Sequence, residues 1–308
     1  MPSADVLECS PGGTSAPVLE SYPARQATLP GDLIVRRALP RSARRLVGPW
    51  CFLDHYGPIE FGADKPMAIG PHPHIGLQTV TWLLEGEVLH KDSLGNEQLI
   101  RPGQLNLMTA GSSIAHSEET PGRNSGRLHG VQLWVALPDA RRRGAAGFEH
   151  HGELPVAALG GARAVVFMGE LKGTRSPATA YSRMVGADIV VRNDGDVDLA
   201  LDPAFEHALF PIEGDVALGA RPLEPSTLYY LGTGRGGVTL TARQGSRLLL
   251  LGGLPFGERI LMWWNFVART PEEIAVARND WEQGNRFGSV AYVGERIPAP
   301  PLSLRVQQ

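Results

Sequence analysis

Cysteine is almost missing from this sequence: Cys9 and Cys51 are the two thiols in 308 residues. Two thiols far apart in sequence build neither a disulfide framework nor a cysteine metal site, and they fit a reducing compartment. An excess of either charge sign is also missing, since 29 basic residues face 32 acidic ones. That balance argues against a chain-wide basic surface for nucleic acid. Long apolar runs are absent too. Leu248-Leu249-Leu250-Leu251 is far short of the roughly 20 residues that cross a bilayer. The opening Met1-Pro2-Ser3-Ala4-Asp5 has no basic segment followed by an apolar one, so no signal peptide is expected. The expectation is a soluble, cytoplasmic protein with no direct nucleic-acid or membrane partner.

Helical periodicity is scarce, and what replaces it is a succession of short strand-like segments separated by Gly, Pro, Asp and Asn. Such punctuation predicts an all-β fold of barrel or double-sheet type. Val88-Leu89-His90 and Glu97-Gln98-Leu99-Ile100 flank Ser93-Leu94-Gly95-Asn96, a hairpin turn. One helix is expected near the C-terminus. Thr270 can cap it, Pro271 suits its first turn, and Glu273 completes a capping box. Ile274, Ala277 and Trp281 then share one face, and Gly284 is a plausible stop. Arg141-Arg142-Arg143 reads as a solvated basic surface.

The segment that carries chemistry is Pro71-His72-Pro73-His74-Ile75-Gly76-Leu77-Gln78. Alternate residues of a strand share a face, so His72 and His74 point the same way, with Gln78 expected further along that face. The spacing recurs at His116-Ser117-Glu118. Either pair alone is of a kind that any surface or core supplies. Two pairs of one spacing, joined by a hairpin, can converge as three nitrogens and one oxygen around a metal ion.

The second half repeats the first. Glu213-Gly214-Asp215 follows Glu85-Gly86-Glu87 at an offset of 128 residues (214 minus 86), with matching apolar positions before it. Pro225 to Gly234 repeats Pro102 to Gly111 at an offset of 123 (225 minus 102), so the second hairpin is shorter. By these offsets the ligand positions become Ala200, Asp202, Thr239 and Thr241, a poor set for a transition metal. The expected organisation is an N-terminal arm at 1–30, a metal-binding barrel at 31–138, a linker and crossover at 139–180, and a second barrel without metal ligands at 181–308.

These motifs resemble those of the pirin family. The His-Pro-His stretch, the Pro102-Gly103 turn and Ala115-His116-Ser117-Glu118 resemble the cupin signature in its pirin form. Gly126 to Val135 and Trp263-Trp264-Asn265-Phe266-Val267 look like later pirin segments. The resemblance covers roughly residues 30 to 290. It implies two cupin (jelly-roll β-barrel) domains packed together with a short C-terminal helix. It also implies one metal ion, with iron(II) expected, held by His72, His74, His116 and Glu118. Pirins often carry Glu where this chain has Gln78, so a neutral amide replaces an acid that bears on proton transfer.

Three imidazoles and a carboxylate leave two octahedral positions, one for a substrate oxygen and one for water or dioxygen. A flavonol-like aromatic substrate would bind through a deprotonated hydroxyl, and Glu118 is the candidate general base. Asp54 and His55 are read as structural residues near the mouth, and His129 and Gln132 as outer-shell candidates. His90, His150, His151 and His207 are read as surface or turn residues. Three functions fit: a quercetin 2,3-dioxygenase-like enzyme, a metal- or redox-sensing regulator that binds a transcription factor or metabolic enzyme, and a cupin enzyme such as an isomerase.

Overall fold

The computed structural model describes residues 5–10, 16–30, 32–61 and 68–307. Two β-barrels stand back to back, each made of one large and one small sheet. In the first, the strands Leu105–Thr109, Leu77–Glu85, Arg127–Ala136 and Trp50–Glu60 lie side by side in a seven-stranded sheet. The facing sheet runs Ala68–His74, Ile114–Glu119, Val88–Asp92, Glu97–Ile100. The second barrel has the same order. Thr227–Gly232, Glu206–Glu213, Arg247–Gly253 and Met184–Val191 form the centre of its large sheet. Gly195–Ala200, Gly237–Ala242, Val216–Leu218 and Arg221–Pro222 form the small one. The duplication read from two short anchors is therefore a duplication of topology.

Strand alternation sorts the side chains of the first large sheet. Val80 and Trp82, Leu53, Val131 and Leu133 face the second barrel and meet Phe167, Phe210, Tyr230, Leu249 and Leu251 in one continuous core. Trp82 stacks on Phe167 with centroids 5.2 Å apart, and its indole donates to Asp188 at 3.0 Å. The intervening residues Phe52, Asp54, Tyr56, Gln132 and Trp134 face the interior of the first barrel.

The chain crosses between barrels more than the sequence suggested, and the expected segments need correction. The described residues from 16 to 30 are part of the sheets and not a separate arm. Pro17–Pro23 pairs with Thr227–Gly232 at the edge of the second barrel, and Arg25–Thr28 pairs with Ile34–Leu39 in the first. Gly147–His151, expected in the linker, extends the first barrel beside Leu105–Thr109. Nor do all residues after 181 belong to the second barrel. Ile260–Trp263 and Phe266–Ala268 form a four-stranded sheet with Asp5–Cys9 and Ser303–Gln307. Phe266 bridges Ile75, and Ile297 N donates to Pro71 O at 2.8 Å, so this C-terminal sheet closes over the first barrel.

The helix is Pro271–Gln283, capped by Thr270 and burying Ile274, Ala277 and Trp281. Glu273 differs from the expected capping box, because its carboxylate accepts from the backbone of Arg269. Burial alone would raise its pKa, but that N–H together with Arg143 and Arg142 holds it at about 2. Arg142 is accordingly buried between Asp139 and Glu273 and is not a solvated cation.

Candidate metal centre

Ala68–His74 is the edge strand of the small sheet, which is where a strand carrying Pro71 and Pro73 can sit without a lost ladder bond. It pairs with Ile114–Glu119 so that His116 lies opposite His72. The register then shifts between His116 and Glu118, a bulge of the sort that re-aims a side chain near a site. Just past His74, Gly76 bends the chain into the large sheet with φ of 70°. A Cβ there would lie 2.0 Å from Val267 O, so the C-terminal sheet packs directly on the bend.

His72, His74 and His116 are buried and present ring nitrogens within 4.8 Å of one another. His72 Nδ1 bonds Gly70 O at 2.9 Å and His74 Nδ1 bonds Asn265 O at 3.0 Å. Those carbonyls fix the proton on Nδ1 and leave Nε2 as a lone pair. His74 Nε2 lies 3.0 Å from His116 Nε2. Two nitrogens bound about 2.1 Å from one ion at a right angle would be about 3.0 Å apart. Burial, the largest cause, pushes His72 down to about 4 and His74 and His116 well below the ordinary imidazole value. All three are therefore neutral at neutral pH, as metal ligands must be.

Glu118 lies outside this trio, in the wall of the same cavity. Thr81 Oγ1 lies 3.2 Å from its Oε1 and 3.1 Å from Gln132 Oε1. Burial raises its pKa, opposed by His90 and the Thr81 contact. The cavity wall also holds Arg37 and Asp54, joined by two contacts of 2.8 and 2.6 Å. Phe52 stacks on Trp134 at 4.1 Å, and Trp134 meets His74 edge-on at 5.3 Å.

Other sequence expectations come out unevenly. Asp54 and Gln132 line the cavity. His55 and His129 do not; on the face toward the second barrel, their Nε2 atoms lie 2.8 Å apart and His55 contacts Ser226. Gln78 leaves the histidine face because the Gly76 bend intervenes. It is buried on the inter-barrel side and donates to Thr109 Oγ1 and Thr179 O. His90 is not a surface residue. It is 3% exposed, with Nδ1 3.4 Å from His116 Nδ1 and Nε2 3.2 Å from Asp92 Oδ2. The missed signal was in plain view, since His90-Lys91-Asp92 is a third pair at the i, i+2 spacing. His207 is buried in Glu206–Glu213, while His150 and His151 are half-buried and bond Asn106 and Glu149.

Comparisons with known proteins agree with this fold. Residues 32–135 match the family described as Pirin, and residues 186–288 match the Pirin C-terminal cupin domain. A Pseudomonas aeruginosa protein named "Putative quercetin 2,3-dioxygenase PA1205" is 47% identical over 94% of this chain and 92% of its own. A pirin-like protein of Caulobacter vibrioides is 38% identical over 91% of this chain and 98% of its own. The crystal structure of a quercetin 2,3-dioxygenase from Acinetobacter baumannii superposes with a TM-score of 0.91 at 41% identity, covering 94% and 97% of the two chains.

Proposed function

The chain belongs to the pirin family, and from that premise we propose that it is a metal-dependent dioxygenase of the quercetin 2,3-dioxygenase type. His72, His74, His116 and Glu118 would hold one divalent transition-metal ion, iron(II) being our choice from a donor set that also suits nickel, copper, cobalt and manganese. The observation that carries the reading is the 3.0 Å approach of two imidazole Nε2 atoms, with His74 Nδ1 already pinned by a carbonyl. Without metal that spacing fits an N–H donated by His116 Nε2 to the bare His74 Nε2; with the His116 proton on Nδ1 instead, both lone pairs are free to hold one cation between them. When bound, the ion would supply a Lewis-acidic, redox-capable centre for a substrate oxygen and dioxygen.

The chain's own residues supply the rest. The stacked Phe52–Trp134 pair gives an aromatic wall suited to a planar flavonol. The Arg37–Asp54 ion pair adds a polar edge to that wall. Glu118, whose carboxyl burial biases toward binding a proton, is the base that takes the flavonol hydroxyl proton, leaving an electron-rich ring. The likeness to proteins named for this activity supports the substrate class. The same reading places the protein in the cytoplasm; no helix among the described residues is long and apolar enough to cross a membrane.

Anaerobic loading with metal, followed by oxygen uptake over a panel of flavonols, tests the proposal. Uptake with release of carbon monoxide is the expected result. A fully loaded protein that consumes no oxygen with any flavonol would move the regulatory alternative ahead.

A further inference from the structure

The three imidazoles are held by different means. Carbonyls of the main chain grip His72 and His74, and no side-chain substitution can remove those. His116 is held by a side chain: its Nδ1 faces His90 Nδ1 at 3.4 Å. His90 in turn stacks on Phe148, with centroids 4.5 Å apart and planes at 16°. Its Nε2 faces Asp92 Oδ2, and Asp92 Oδ1 accepts from the backbone of Leu94 and Asn96 at 2.9 and 3.1 Å. The hairpin turn after Asp92 thus anchors a line of groups that ends at the centre.

Proton counting gives this line a direction. For His116 to present a bare Nε2 toward the centre, its proton must sit on Nδ1. That N–H needs a lone pair, so His90 Nδ1 must be bare and the His90 proton must sit on Nε2. The Asp92 carboxylate is the acceptor that holds it there. We propose that His90 and Asp92 are positioning residues for His116, fixing its tautomer and ring orientation and so setting how tightly the centre holds a divalent ion. This rests on the reading of the trio as a metal centre. Neither His90 nor Asp92 is among the four proposed ligands.

The test measures cobalt(II) affinity by chelator competition, with the cobalt absorption spectrum and metal-free thermal stability as parallel readouts. His90→Phe keeps a ring to stack on Phe148 and removes both nitrogens. Its affinity should fall about 10- to 100-fold, the usual effect of losing an outer-shell partner, with an altered cobalt spectrum. His90→Gln restores an acceptor and a donor and should recover part of the loss. Asp92→Asn keeps one carbonyl oxygen for the turn and should weaken binding less than His90→Phe; it also serves if the Phe variant does not fold. Native affinity and spectrum in the variants would overturn the inference. So would equal losses in the Phe and Gln variants that merely track lowered metal-free stability. A native protein that binds no cobalt would overturn the centre itself, and this inference with it.

Discussion

The two barrels share a strand order and differ in what they point inward. In the first, the inner face of the small sheet carries His72, His74, His116 and Glu118 around an open cavity. In the second, the corresponding sheet turns Val197, Leu199, Leu240 and Ala242 inward, into a core with Leu209, Tyr229 and Leu231. Its polar residues face out: Thr239 donates to Asp198 at 2.6 Å and Thr241 to Asp196 at 2.8 Å, both exposed. One topology therefore serves two ends. A packed apolar interior makes a stable platform, and a polar interior makes a site that must be held together by outer partners. The first barrel gets those partners from elsewhere in the chain: Asn265 from the C-terminal sheet, His90 from its own hairpin, and a broad shared core behind it.

The comparison breaks hardest at the histidines. His116→Ala should take metal content from about one ion per chain to near zero, and activity with it. Elemental analysis of the purified, reloaded protein measures this. Two tightly held ions in the native protein would mean that the second barrel also binds, and one retained by the variant would remove His116 from the ligand set.

Glu118→Gln separates holding metal from using it. The amide keeps an oxygen donor of equal length and loses the charge and the base. Turnover of a flavonol should fall by roughly 10²–10⁴ while much of the metal stays. Native turnover in this variant would remove Glu118 from the base role.

Leu240→Ala probes the other interior. Leu240 is 1% exposed in the second barrel's core, and such truncations cost about 2–5 kcal/mol. Denaturant unfolding should show that loss while cobalt affinity stays native. A matched loss of affinity would show that the platform sets the centre's geometry more directly than the contacts suggest.

Much of this was legible in the sequence, and the failures share a cause. The i, i+2 pairs His72/His74 and His116/Glu118 come to one cavity with the three imidazoles clustered, and Thr270, Pro271, Ile274, Ala277 and Trp281 gave the helix and its buried face. The duplication was legible from two anchors, but its register was not. The offset of 123 put Thr239 and Thr241 at ligand positions, whereas the ladder turns those side chains to solvent and Leu240 and Ala242 inward. In a strand a shift of one residue exchanges every face. Long-range additions were the other blind spot. Nothing local in Pro17–Pro23 says that it joins a strand two hundred residues later, and nothing in Asn265 says that its carbonyl orients His74.

Gln78 shows the same limit at one residue, and it yields the smallest expected effect. Sequence placed it beyond His74 on the ligand face, where a family acid would act on protons at the metal. The bend at Gly76 instead hands it to the inter-barrel face, fully buried, with its Nε2 donating to Thr109 Oγ1 at 2.9 Å and Thr179 O at 3.1 Å. Gln78→Glu therefore cannot restore an acid to the cavity. A carboxylate has no proton for the Thr179 carbonyl, and holding its charge in this buried place is itself unfavourable. A Thr109 hydroxyl can turn to donate, so one of the two bonds survives. The expected outcome is a loss of about 1–3 kcal/mol in unfolding free energy, the cost of one buried polar group left unpaired, with kcat for flavonol unchanged. Raised turnover in this variant would show that charge behind the sheet reaches the centre, and the division of labour between the two faces of Leu77–Glu85 would have to be redrawn.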